Sequence, residues 1–296
     1  MAQWEGKSKG TVLGYRIFVF LIKKAGVRAA YFILNFVAGY YFLTQKRSNR
    51  AMSYYFHDRL GYSRSKTRRS LFKSYYTFGQ TIIDKVAISA GLRQSFTYEF
   101  DGRHILEELL AEKKGGVLIS AHVGNFEIAE HFFADIDLDF HINIVTTDLE
   151  HSAIRDYLES VTSKASRKFI IIKDDMSHIF EINAALARNE LVCFTGDRYF
   201  PGNKVLTEEF LGEAANFPSG PFLIASRLKV PVAFVYVMKE PKLHYHLYTR
   251  RAEVKHRDEK ALLKEYTANV ESFVRKYPLQ WFNYFNFWDK SENSES

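Results

Sequence analysis

From Gly116 to Gly196 the chain alternates short apolar runs with segments of helical spacing, and few architectures accommodate that rhythm. Strand Val117–Ala121 precedes helix Phe126–Phe133, strand His141–Val145 precedes helix His151–Ser163, and strand Lys168–Lys173 precedes helix Met176–Ala187. Strand Leu191–Thr195 then ends at Gly196-Asp197-Arg198. Short β-branched runs between helical segments predict a mixed, mainly parallel α/β sheet with helices on both faces. Upstream, Ser95–Phe100 reads as a short strand and Ile105–Glu112 as a helix. Downstream, Val232–Met238 and Leu243–Thr249 read as a hairpin at the sheet's edge, and Asp258–Lys276 as an amphipathic helix.

The first 91 residues have another character. Val12 to Leu43 is strongly apolar, broken by Lys23, Lys24 and Arg28; the uninterrupted part, Ala29 to Leu43, is shorter than the ~20 residues a spanning helix needs. Basic residues stand at both ends: Lys23, Lys24 and Arg28 before, Lys46, Arg47 and Arg50 after. An apolar helix between cationic flanks suits the headgroup layer of a membrane, lying flat or obliquely inserted; its bland alternative is a buried core helix. Residues 48–91 read as further helix with a break at Gly61-Tyr62-Ser63, where Ser63 or Ser65 caps the next segment. Arg64, Lys66, Arg68, Arg69 and Lys73 cluster there, either as a solvated face or as a landing site for lipid headgroups or an acidic carrier protein. The division expected is a membrane-associating helical region over 1–91, an α/β unit over 92–290 and a disordered tail over 291–296.

Composition narrows the function classes. The formal charge of +7 favours an anionic partner, and the absence of a nucleic-acid-binding motif places nucleic acid last. The single Cys193 excludes an internal disulfide and a cysteine-rich zinc site, and reads as a buried strand residue. Twenty-six Phe and eighteen Tyr suit a core, a membrane interface or an acyl-chain pocket. His244 and His246 share one strand face without a third ligand at a useful spacing, so no metal is expected. Ser120 lies outside any Gly-x-Ser-x-Gly elbow, which leaves a hydrolase triad unsupported.

The residues best suited to chemistry lie where the first strand of the alternation ends. Gly116-Val117-Leu118-Ile119-Ser120-Ala121 runs into His122-Val123-Gly124-Asn125-Phe126-Glu127, a strand end followed by a helix start, where open α/β sheets place their sites. His122 sits on that edge and Glu127 in the first helical turn; a carboxylate beside an imidazole fixes its tautomer and raises its basicity toward a hydroxyl. The bland reading has Glu127 simply favouring a helix N-terminus. Asn125 and neighbouring backbone N–H groups are candidates to steady an oxyanion. Asp197 and Arg198 end another strand of the same sheet and so approach His122; Arg198 suits a phosphate or phosphopantetheine group, or a structural pair with Asp197.

The segment Gly116 to Glu127 resembles the His-x4-Asp/Glu block of the glycerolipid acyltransferase superfamily, and His-Val-Gly-Asn-Phe-Glu is most similar to the bacterial late lipid A acyltransferases. Gly196-Asp197-Arg198, then Glu209 to Pro221, resemble the second and third blocks in order, and Lys229 to Val235 the fourth. Tyr277-Pro278-Leu279-Gln280-Trp281-Phe282 resembles the family's Pro-x-Gln-Trp/Tyr-x-Trp segment. The resemblance implies an O-acyltransferase with His122 and Glu127 catalytic, and Asn125, Asp197, Arg198, Gly212, Ser219 and Gly220 toward substrate. It implies an acyl carrier protein or coenzyme A thioester as donor, no other cofactor, a lipid or glycolipid acceptor, and a place on the cytoplasmic face of the bacterial inner membrane, peripheral or single-pass. The tail departs from the family: Tyr284-Phe285-Asn286-Phe287-Trp288 stands where His-Arg-Arg-Phe/Trp is usual, which leaves the acceptor open to another lipid or a polyene-type hydroxyl. The rivals are a non-catalytic lipid- or carrier-binding member, a thioester hydrolase and a nucleic-acid binder.

Overall fold

The computed structural model describes residues 20, 22, 24–133, 141–146, 167–173, 175–199 and 202–288. Seven strands form the main sheet: β1 Thr97–Asp101, β2 Gly116–Ser120, β3 Ile142–Thr146, β4 Arg167–Ile171, β5 Leu191–Thr195, β8 Val232–Glu240 and β9 His244–Arg251. Two more, β6 Val205–Phe210 and β7 Glu213–Pro218, make a separate antiparallel hairpin. The sheet order is β1-β9-β8-β2-β5-β3-β4, with β8, β2, β5, β3 and β4 parallel and the β9–β1 pair reversed. The sheet is therefore mixed and mainly parallel. The expected edge position of the β8–β9 hairpin is not what forms: β1 adds in parallel to β9, Thr97 opposite His244, and takes the edge itself. The expected helix His151–Ser163 lies outside the described residues.

Alternation along the strands sends side chains to two cores. Val232, Phe234, Tyr236 and Met238 of β8 join one cluster, and Ala233, Val235 and Val237 join the other. The first is covered by α6 Ser177–Ala187, α7 Ser219–Arg227 and α8 Glu259–Lys276 together with Met52, Tyr55, Phe56 and Leu71 of the N-terminal region, the second by further faces of the N-terminal helices and by α4 Arg103–Ala111. Cys193 is buried in the second, where loss of hydration pushes its thiol up and leaves it inert.

Helix α1 Val27–Thr44, followed by α2 Lys46–Ser53, packs on α3 Arg64–Ala87. Ser63 caps α3 by accepting from the Lys66 N–H. The buried face of α1 is Val27, Ala30, Leu34 and Ala38, spaced by three and four. The opposite face is apolar too: Phe32 is 68% exposed, Phe36 69%, Tyr40 62% and Leu43 72%. A helix whose outward stripe is as apolar as its inward one is not shaped for water alone. No helix among the described residues is long and apolar enough to cross a membrane.

Candidate active site

The neighbours β2 and β5 run parallel in register, with Ser120 opposite Thr195. His122 and Asp197 each lie two residues beyond that last pair, so the two chains leave the sheet side by side. The Gly196 N–H donates to the Ser120 carbonyl, and a Cβ on Gly196 would stand 2.9 Å from the ring of Tyr266 and 3.0 Å from Ile119, which keeps this crossing free of side chain. Asp197 then grips His122 twice: Oδ1 lies 2.7 Å from Nδ1, and Oδ2 accepts from the His122 backbone N–H at 2.9 Å. Burial would raise the Asp197 carboxyl, but the charge and hydrogen bond of His122 and the charge of Arg198 outweigh it and hold the carboxyl below its ordinary value. An ionised acceptor at Nδ1 selects the tautomer with its proton there, and the ring keeps partial exposure.

The C-terminal segment closes the site from above. The Phe282 N–H donates to the His122 carbonyl, the Gly124 N–H to the Gln280 carbonyl, and Val123 bridges Trp281. Gln280 also clasps Lys239 of β8, donating to its carbonyl and accepting from its N–H. Asn283 donates weakly to Asp197 at 3.4 Å and accepts from Arg198 Nε at 2.9 Å. Arg198 gives a further bond to the Phe282 carbonyl at 2.8 Å. Its guanidinium is enclosed enough that burial pulls its pKa down to about 10, which leaves it cationic at neutral pH. Two of its nitrogens thus tether the tail.

The amide of Asn125 donates to the Thr81 carbonyl of α3 at 3.0 Å and lies 3.3 Å from the Tyr245 hydroxyl, buried, so it ties the loop to α3. Gly212 turns the β6–β7 hairpin with φ 79°, while Ser219 and Gly220 open α7, the Ser219 N–H donating to the Lys204 carbonyl. Those three make no hydrogen bond with His122, Asp197 or Arg198. Glu127 lies in the 3-10 turn Phe126–Ile128, ahead of α5 Ala129–Phe133; its side chain is outside what the structure describes. His244 bonds Thr97 and His246 stacks on Tyr248, and no group of three His, Cys, Asp or Glu comes together among the described residues. Several aromatics of the tail are core: Trp281 is buried among Tyr55, Phe210, Phe287 and Trp288.

Gly124 sets how closely this loop approaches β8. Its φ is 71°, and an added Cβ would fall 2.2 Å from the Val237 carbonyl oxygen. Gly124→Ala combines left-handed strain with a backbone clash, and we expect it to cost about 2–3 kcal/mol of stability. Transfer activity should fall at least about tenfold, because the displaced segment carries His122. Thermal unfolding and steady-state kinetics check this.

Gln280 and Asn283 are the residues bracing the His122 loop that the sequence did not single out. The Pro278-Leu279-Gln280-Trp281 signature marked the segment, but nothing in it told that its backbone would pair with the His122 loop.

No curated protein matches the sequence. The family model described as bacterial lipid A biosynthesis acyltransferase matches residues 7–290, nearly the whole chain. With a tautomer-fixed histidine at the mouth of a mainly parallel sheet, the chain belongs to that family and is an acyltransferase with a lipid acceptor.

Proposed function

We propose that the protein is a membrane-surface O-acyltransferase in which His122 is the general base. The observation that carries this is the imidazole held by Asp197 at the adjacent ends of β2 and β5. With Nδ1 given to Asp197, the acceptor's proton is taken at Nε2; Glu127, five residues along, is the rival carboxylate for the role of orienting the ring. The acceptor oxygen bonds to the thioester carbonyl carbon and the carbon–sulfur bond breaks. The thiolate leaves, recovering the proton from His122, with no acyl-enzyme on the way. Backbone N–H groups at the start of the 3-10 turn are the proposed oxyanion donors. The donor is an acyl carrier protein or coenzyme A thioester, and the reaction asks for no other cofactor.

The acceptor reaches His122 from a bilayer at the cytoplasmic face of the inner membrane. The exposed Phe32, Phe36, Tyr40 and Leu43 support this, as do the exposed Lys24, Arg28, Lys46, Arg47 and Arg50 at the helix ends. Phe78 and Ile82 of α3 continue the apolar surface toward the site, since Phe78 packs on Phe282 and the Phe282 N–H bonds to the His122 carbonyl.

Mass spectrometry of total lipids from cells with and without the protein tests the reading. A lipid heavier by one acyl group, present only with the protein, is the expected result and identifies the acceptor. Free fatty acid released in excess of any acylated lipid would replace the transferase with a thioester hydrolase.

A further inference from the structure

Where the end of α1 meets the start of α3, an open groove of about 360 Å³ is lined by Phe42, Ser65, Arg68, Arg69, Phe72 and Lys73. Five of these lie on one face of α3 at spacings of three and four, so cations and an aromatic are presented together. The floor is apolar: Phe42 and Phe72 meet edge to face at 6.2 Å, and the Arg68 guanidinium stands 5.9 Å from the Phe42 ring. The rim is cationic, and no carboxylate forms an ion pair with Arg68, Arg69 or Lys73 among the described residues. From Lys46 to Ile83 the sole acidic residue is Asp58, against Lys46, Arg47, Arg50, Arg59, Arg64, Lys66, Arg68, Arg69 and Lys73. The groove also adjoins the end of the outward apolar stripe, since Phe42 precedes the exposed Leu43.

We propose that this groove holds an anionic glycerophospholipid of the surrounding bilayer, as a bound anchor and not as the reacting acceptor. Arg68, Arg69 and Lys73 take its phosphate with help from the Ser65 hydroxyl, and the start of an acyl chain lies on Phe42 and Phe72. Charge complementarity selects the anion. Continuity with the apolar stripe selects lipid over a soluble acidic protein, which would have to occupy the layer that the stripe enters. The groove is remote from the chemistry: Phe72 and Thr81, the α3 residue that Asn125 of the catalytic loop touches, are nine residues apart, or roughly 14 Å of helix. The inference rests on the membrane reading given above.

The test uses the full chain with vesicles of phosphatidylcholine alone or mixed with phosphatidylglycerol, followed by native mass spectrometry of the protein released into detergent. Wild type should retain phosphatidylglycerol and bind the mixed vesicles more tightly. Arg68→Gln/Arg69→Gln/Lys73→Gln should lose the retained lipid, with the basal transfer rate in detergent unchanged. Lys46→Gln/Arg47→Gln/Arg50→Gln, equal in charge removed, should keep it. Phe72→Ser, which leaves every cation in place, should retain the lipid at least about tenfold less. Equal retention in the two triple variants overturns the proposal, as does charge-dependent capture of acyl carrier protein at these residues without lipid retention. Failure of wild type to bind any vesicle would instead remove the membrane reading beneath it.

Discussion

His122→Ala should lower the transfer rate by about 10²–10⁴-fold, with little loss of stability because the ring is partly exposed. Asp197→Asn should cost nearly as much, and the reason is geometric. Asp197 has two oxygens, one for the His122 imidazole and one for the His122 backbone N–H, and Asn283 leans on the second. An asparagine there has a single oxygen. The two N–H groups on the Oδ2 side hold it, which turns the NH₂ toward Nδ1. The imidazole must then carry its proton on Nε2, where it cannot accept one from a hydroxyl. The residual activities should not multiply: the double variant Asp197→Asn/His122→Ala should resemble His122→Ala, as expected of groups acting as one unit. Single-turnover acyl transfer with each variant is the measurement. If Asp197→Asn stays within a few-fold of wild type while Glu127→Gln loses activity, Glu127 is the carboxylate that fixes the base.

The site was partly legible because its parts are local. A β-branched run ending in His122 marks a strand end by itself, and so does Leu191 to Thr195 ending at Asp197; strands of one parallel sheet share an edge. Which carboxylate meets Nδ1 was not legible, since it depends on the register of β2 against β5 across 75 residues of chain. The partner of Asn125 was not legible for a similar reason: the carbonyl belongs to Thr81, and only the packing of α3 under the loop brings that group within reach. The β6–β7 hairpin escaped notice because its turn is Leu211-Gly212, both with positive φ, where Asn-Gly or Asp-Gly would have signalled it. The edge strand was found, but nothing in five residues from Thr97 to Asp101 identifies β9 as their neighbour.

Asp84→Ala should destabilise the protein by about 3–5 kcal/mol, the largest loss expected from one side chain outside the sheet. Asp84 is fully buried on α3 and accepts from three donors: the Lys239 ammonium at 2.6 Å, the Tyr245 hydroxyl at 2.5 Å and the Tyr31 hydroxyl of α1. Lys239 bonds Tyr31 in turn at 2.9 Å and is itself buried. Burial, reinforced by the Asp84 charge, raises both tyrosines and keeps them protonated as donors. Removing the carboxylate leaves an ammonium without its counter-charge in a dry site and two hydroxyls without their acceptor. Thermal unfolding should show a fall of roughly 5–15 °C. Replacing both charges, as Asp84→Leu/Lys239→Met, should recover much of that loss, because the penalty belongs to the orphaned partner more than to the pair. The cluster joins α1 and α3 to β8 and β9, and through Tyr245 it touches Asn125 of the catalytic loop. Asp84→Ala should therefore lower transfer at temperatures where the fold persists, and a drop in stability under about 1 kcal/mol would mean that water reaches these charges after all.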